Sequence, residues 1–220
     1  MNFDAQPLDP VETRVLACLI EKETTTPEYY PLTLNAAVNA CNQKSNRDPV
    51  VSYDDEAVEA ALDRLRARGL LYVTTGPGLR APKYSHRLTE ALHLGRREMA
   101  LLCVLMLRGP QTAGELRDRA GRMHEFSDLE EVVSCLHRLT EHEPPLVALL
   151  ERQAGRKERR YAHLLSGEVP LPAYEQGPAV ERSAAGVAAR VEALEGEVAS
   201  LKEEIEALRR QFGDFRRQFE

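Results

Sequence analysis

Ser52–Ser85 reads SYDDEAVEAALDRLRARGLLYVTTGPGLRAPKYS, and the fold turns on this stretch. Ser52 through Glu56 are capping-type residues. Behind them Ala57, Val58, Ala61, Leu62 and Leu65 recur at helical spacing, which predicts an amphipathic helix ending at Gly69. Leu70–Thr75 is a β-like run, Gly76-Pro77-Gly78 a turn, and Leu79–Ser85 the return strand.

Two helices precede it. Asp9 is an N-cap with Pro10 at the first helical position, and Val11, Val15, Leu16, Leu19 and Ile20 give an amphipathic helix that stops near Thr24–Pro27. A second helix is expected after Pro31, carrying Leu32, Leu34, Ala37, Val38 and Cys41. It ends at the polar loop Asn42–Pro49. Downstream the order recurs. Met99–Leu107 is a hydrophobic helix, Thr112 caps Ala113–Ala120, and Ser127-Asp128 cap a third helix through Val132, Val133, Leu136 and Leu139. Leu146–Leu150 is β-like, Gln153–Glu158 a polar tip, and Arg159–Leu165 the return. Leu62-Asp63-Arg64-Leu65 echoes Leu136-His137-Arg138-Leu139. Three helices and a hairpin, twice, is the element order of two winged helices. The expected class is therefore mainly α with small β-hairpins: lobes over 1–92 and 93–165, a proline-containing linker over 166–182, and a final helix over 183–220. Lobes of this size bury modest cores, so each is expected to lean on the other or on a partner.

The final helix carries an unbroken heptad seam. Val187, Val191, Leu194, Val198, Leu201, Ile205, Leu208, Phe212, Phe215 and Phe219 are spaced alternately four and three apart. β-branched residues dominate position a and leucines position d, which favours a parallel two-stranded coil. The flanking pairs Arg190–Glu195, Glu197–Lys202 and Glu204–Arg209 are opposite in sign in that arrangement. A homodimer through this helix is expected. The competing reading lays the helix along its own lobes, and the three phenylalanines and Gly186, Gly196 and Gly213 favour it.

The charge balance, 29 Lys+Arg against 35 Asp+Glu, argues against a protein that coats nucleic acid by charge alone. Scarce aromatics and the lack of Trp leave little for stacking single strands. No apolar run approaches the roughly 20 residues of a membrane span, and the N-terminus shows no export signal, so a cytoplasmic protein is expected. Cys18, Cys41, Cys103 and Cys135 lie far apart among apolar neighbours, as buried thiols rather than zinc ligands. The six histidines are scattered. Acidic pairs such as Asp54-Asp55 and Glu130-Glu131 open helices, where they suit the macrodipole. No catalytic, metal or cofactor motif is present, so a non-enzymatic protein is expected.

Cations gather where a winged helix grips DNA. The candidates for double-stranded DNA are Lys44 and Arg47 in the loop, Arg64 and Arg68 on the third helix, Arg80 and Lys83 in the first wing, and Arg152, Arg156, Lys157, Arg159 and Arg160 in the second. Against this, both third helices begin with carboxylates, which repel phosphate and match only cytosine N4 in the major groove. Solvated charged turns are the alternative reading of the wings, and a protein-binding scaffold is the alternative function. The loop Asn42–Pro49 either presents amides and cations to a ligand or bonds to itself, with Arg47 pairing an acid.

The run from Leu8 to Leu71, with GRKERRYAHLL at Gly155–Leu165, resembles the YceH family of bacterial proteins, and CNQKSNRDPV at Cys41–Val50 is the most specific part. The resemblance covers residues 8–165. It implies tandem winged helices, carries no catalytic or ligand residues, and leaves transcriptional regulation through DNA as an expectation from the residues alone.

Overall fold

In a computed structural model of the chain, residues 3, 6–152 and 158–167 are described. Helix α1 spans Pro10–Thr25. The Asp9 carboxylate accepts the Glu12 N–H at 2.8 Å, and Glu12 accepts the Asp9 N–H at 2.9 Å, a reciprocal cap worth about 1 kcal/mol. A short 3-10 turn, Pro27–Tyr29, leads to α2, Leu34–Cys41, capped by Thr33. Helix α3, Asp55–Ala67, is capped by Asp54, whose carboxylate accepts the Ala57 N–H at 2.9 Å. It is followed by Gly69 at φ +70°, a left-handed position that glycine occupies without the steric cost of a side chain. Strands β1, Leu71–Thr74, and β2, Lys83–His86, then pair antiparallel with Leu71 opposite His86.

The second half follows the same order. After a short helix α4, Leu88–Leu92, come α5 (Arg96–Arg108), α6 (Ala113–Ala120) and α7 (Leu129–Thr140). Thr112 and Glu115 cap α6 reciprocally, and Asp128 caps α7. Strands β3, Val147–Leu149, and β4, Tyr161–His163, close it as an antiparallel pair. The chain is mainly α with two small hairpins, as its sequence predicts.

Three details differ from expectation. Leu32 is not helical: it forms an antiparallel bridge to Tyr84, because the N-cap falls on Thr33. Gln111 makes the equivalent bridge to Tyr161, so each hairpin gains a third extended segment from between its first two helices. The first return strand begins at Lys83 rather than Leu79, since Pro82 has no N–H to donate to a ladder. The short α4 carries no cap signal, and it ends on His93 at φ +53°.

Helix α1 is buried almost all round from Glu12 to Glu21, and α5 from Met99 to Leu107. A helix buried on every face requires neighbours on every face. Here α1 packs against α2 and α3 on one side and against α5 on the other, and α5 packs against α6 and α7. One hydrophobic cluster therefore runs through both halves, with Leu62, Leu65, Leu136 and Leu139 fully buried. The repeated Leu-x-x-Leu signature is the core face of both third helices. The end of the second half also returns to the first: the Leu8 N–H donates to Leu165 O at 2.8 Å, and the Thr13 and Ser166 hydroxyls lie 2.9 Å apart.

The candidate seam from Val187 to Phe219 lies outside the described residues, as does the linker beyond Gly167. Among the described residues, no helix is long and apolar enough to cross a membrane.

Candidate functional site

The loop Asn42–Pro49 is bonded to its own protein. The Asn42 side chain donates to Tyr53 O at 2.7 Å and accepts the Tyr53 N–H at 2.8 Å. Arg47 turns inward. Its guanidinium meets the Glu21 carboxylate at 3.0 and 2.5 Å, and it donates further to Ala40 O and Gln43 Oε1, with both charged side chains fully buried. Burial alone would push the Glu21 carboxyl up. The Arg47 hydrogen bonds and charge, helped by Arg122, hold it below the usual carboxylate range. Arg47 thus cannot meet phosphate and is withdrawn as a DNA contact. Lys44 remains exposed on the loop. All four cysteines are buried free thiols, and Cys18 Sγ lies 3.5 Å from Arg47 Nη2.

Three other candidate cations are engaged within the fold. Arg64 pairs with Asp9 at 2.7 Å and Glu12 at 3.2 Å. Arg68 pairs with Glu12 at 3.3 Å, donates to the carbonyls of Gln6 and Pro7, and lies over the Phe3 ring. Together they fasten the C-terminal end of α3 to the start of α1. Arg160 donates to Pro110 O at 2.7 Å and Glu115 at 2.9 Å, fastening β4 to the cap of α6. Arg80, Arg152 and Arg159 are exposed, and Lys83 is half-buried. Arg156 and Lys157 lie outside the described residues.

What the third helices present to solvent is therefore decided by their other residues. Asp55, Glu56, Glu59 and Asp63 are all exposed on α3, opposite its core face of Val58, Ala61, Leu62 and Leu65. On α7 the exposed residues include Leu129 and Val133, 45% and 42% exposed, with Glu130 and His137 beside them. The two halves differ in charge: residues 1–92 hold 10 Lys+Arg against 13 Asp+Glu, and residues 93–165 hold 12 against 11. Besides the paired Arg64, the exposed cations of the third helices are Arg66 on α3 and Arg138 on α7, the latter paired with Glu98 at 2.6 Å, so carboxylates predominate on the solvent face of α3.

Among the described residues, no three metal-ligating side chains converge. One pair of titratable groups was not visible in the sequence. His86 Nε2 lies 2.9 Å from Glu23 Oε2, joining the last residue of β2 to α1 across 63 positions, a distance no local pattern spans. The Leu88 N–H donates to His86 Nδ1 at 3.2 Å, so the ring proton sits on Nε2 and points at Glu23. That hydrogen bond holds the Glu23 carboxyl below its usual range against the opposing effect of burial.

Residues 8–156 match the family described as "Protein of unknown function, DUF480". The chain is 55% identical over 192 residues to a UPF0502 protein of Solibacter usitatus, covering 87% of this chain and 91% of the relative. It is 53% identical over 195 residues to a UPF0502 protein of Geobacter sulfurreducens, covering 87% and 89%. A UPF0502 protein of Koribacter versatilis is 54% identical over 194 residues, covering 87% and 88%. The matched span contains the caps, the Arg47 loop and both third helices, and on these grounds the chain belongs to the DUF480 family, the YceH-type family that its own residues resemble.

Proposed function

We propose that the chain is a non-enzymatic cytosolic adaptor, a pair of winged helices that holds protein partners through its third helices. It works as a dimer joined by the heptad helix. The observation that carries this reading is the solvent face of α3. Four exposed carboxylates, Asp55, Glu56, Glu59 and Asp63, repel phosphate and outnumber the one exposed arginine without an ion pair among the described residues of the helix, Arg66, while Arg64 and Arg68 at its far end are held by Asp9 and Glu12. A basic segment of a partner protein complements that face. Leu129 and Val133 on α7 add exposed apolar area, which suits a protein and offers nothing to a phosphate backbone.

The test is affinity capture of tagged full-length protein under nuclease treatment, alongside one charge-reversed variant of α3. The reading expects one stoichiometric protein partner that survives nuclease and is lost from Glu59→Lys/Asp63→Lys. It fails if nuclease releases everything captured, or if the α3 variant keeps its partner.

The second reading is binding of double-stranded DNA in transcriptional regulation, favoured by one observation: Arg80, Arg152 and Arg159, beside the two hairpins, are exposed. Here the hairpins would grip phosphate without base readout, giving modest, salt-sensitive affinity. Arg152→Glu/Arg159→Glu would then weaken binding and flatten its salt dependence.

A further inference from the structure

A cavity of about 390 Å³ opens where the two halves meet. Its floor is apolar: Ile20 of α1, Met99 of α5, and Met123 just beyond α6. Its rim is polar: Glu23 of α1, His86 at the end of β2, and Arg96 at the start of α5. The walls come from both halves of the core, so an occupant touches both.

The rim is arranged in a particular way. His86 donates to Glu23 Oε2 and is itself fixed by the Leu88 N–H, which leaves Glu23 Oε1 without a protein donor among the described residues. The Glu23 side chain is 48% exposed, so that oxygen is open to a ligand. Arg96 is exposed and forms no hydrogen bond or ion pair among the described residues, yet it lies close enough for its charge to help depress the Glu23 carboxyl. A fixed anion and an uncommitted cation thus stand near each other over an apolar floor, without closing on one another. Methionine side chains in that floor adapt to the shape of an aliphatic chain.

We propose that this cavity binds a small zwitterion with an apolar side chain, an α-amino acid of the leucine or methionine type. Its ammonium group donates to Glu23 Oε1, its carboxylate takes the Arg96 guanidinium, and its side chain lies on Ile20, Met99 and Met123. Each charged contact orients the ligand, and the floor selects against polar side chains. The site is separate from the solvent faces of α3 and α7, so it stands or falls independently of the adaptor reading.

The experiment is thermal unfolding and titration calorimetry on the full chain with L-leucine, L-methionine, L-aspartate, isopentylamine and 4-methylpentanoate, each at about 10 mM. A millimolar site predicts a rise in Tm of about 3–6 °C with L-leucine or L-methionine. Aspartate and the two half-ligands should give clearly smaller shifts. Glu23→Gln and Arg96→Gln should each lower affinity by about tenfold or more while the far-ultraviolet spectrum stays unchanged. The proposal is overturned if neither apolar amino acid shifts Tm or gives heat with the wild-type protein. It is also overturned if the amine or the carboxylate alone does as well, or if both folded variants keep wild-type affinity.

Discussion

Replacing Glu21 by Gln keeps the shape of the side chain and removes its charge, leaving Arg47 as a buried cation without a counterion. Both side chains are fully buried, and the pair is joined by two hydrogen bonds of 3.0 and 2.5 Å. Breaking one partner of such a pair costs about 3–5 kcal/mol, because the remaining charge cannot be rehydrated without opening the core. The Ala40 carbonyl and Gln43 still solvate part of the guanidinium, which places the expected loss toward the lower end. Arg122 also pairs with Glu21, but its side chain is 37% exposed and can turn to water, so it adds little. At about 2–4 °C per kcal/mol for a protein of this size, Tm should fall by about 6–20 °C. The assay is urea and thermal unfolding of Glu21→Gln, Arg47→Met and the double variant Glu21→Leu/Arg47→Met. The double variant should recover much of the loss, since no unpaired charge remains. A loss below about 1 kcal/mol in Glu21→Gln, or a double variant no better than the single ones, would refute the buried-strut account of the loop.

Other outcomes follow from the same structure. Burial holds the His163 imidazole down to about 4 from an unfolded value of 6.5. The unfolded chain therefore takes up its proton first, and stability should decline as pH falls from 6.5 toward 4, a slope that His163→Gln should flatten. Glu21 and Glu23 sit below the ordinary carboxylate value of 4.5, so their contribution is full above that pH and disappears as pH falls further; a urea midpoint that stays level down to pH 3 would contradict it. Asp54→Ala removes the cap of α3 and should cost about 1 kcal/mol in chemical denaturation, with Asp128→Ala costing a similar amount on α7. Removing residues 183–220 should change the particle from two chains to one in sedimentation if the heptad seam joins two chains, and a truncated particle that still holds two chains would place the dimer contact elsewhere.

Local chemistry made the helices legible. Asp9-Pro10, Thr112 and Asp128 each stop a chain direction and start a helix within one residue of where the sequence places it, because a cap satisfies backbone donors three residues away. The leucines of the two third helices were readable for the same reason: helical periodicity is a short-range signal. The fate of the cations was not. Arg47, Arg64, Arg68 and Arg160 look like surface contacts in sequence because their acidic partners lie 26, 52, 56 and 45 positions away. Nothing nearby distinguishes an arginine that pairs internally from one that waits for phosphate. The bridges Leu32–Tyr84 and Gln111–Tyr161 were hidden likewise, since each single extended residue precedes a helix cap and has no alternation of its own. The acids of α3 were visible, but their weight emerged only when two of the three nearby arginines, Arg64 and Arg68, proved to be occupied, leaving Arg66 alone against four carboxylates.

The claim that the third helices face protein rather than DNA is tested most directly by fluorescence anisotropy at physiological salt, titrating the full-length protein into a pool of genomic duplex fragments. The account predicts nothing tighter than ordinary non-specific binding, about 10⁻⁴–10⁻⁶ M, and tighter rather than weaker DNA association when Glu59 and Asp63 are changed to lysine. A fragment bound at about 10⁻⁸ M or better, with binding lost on those α3 substitutions, would contradict it.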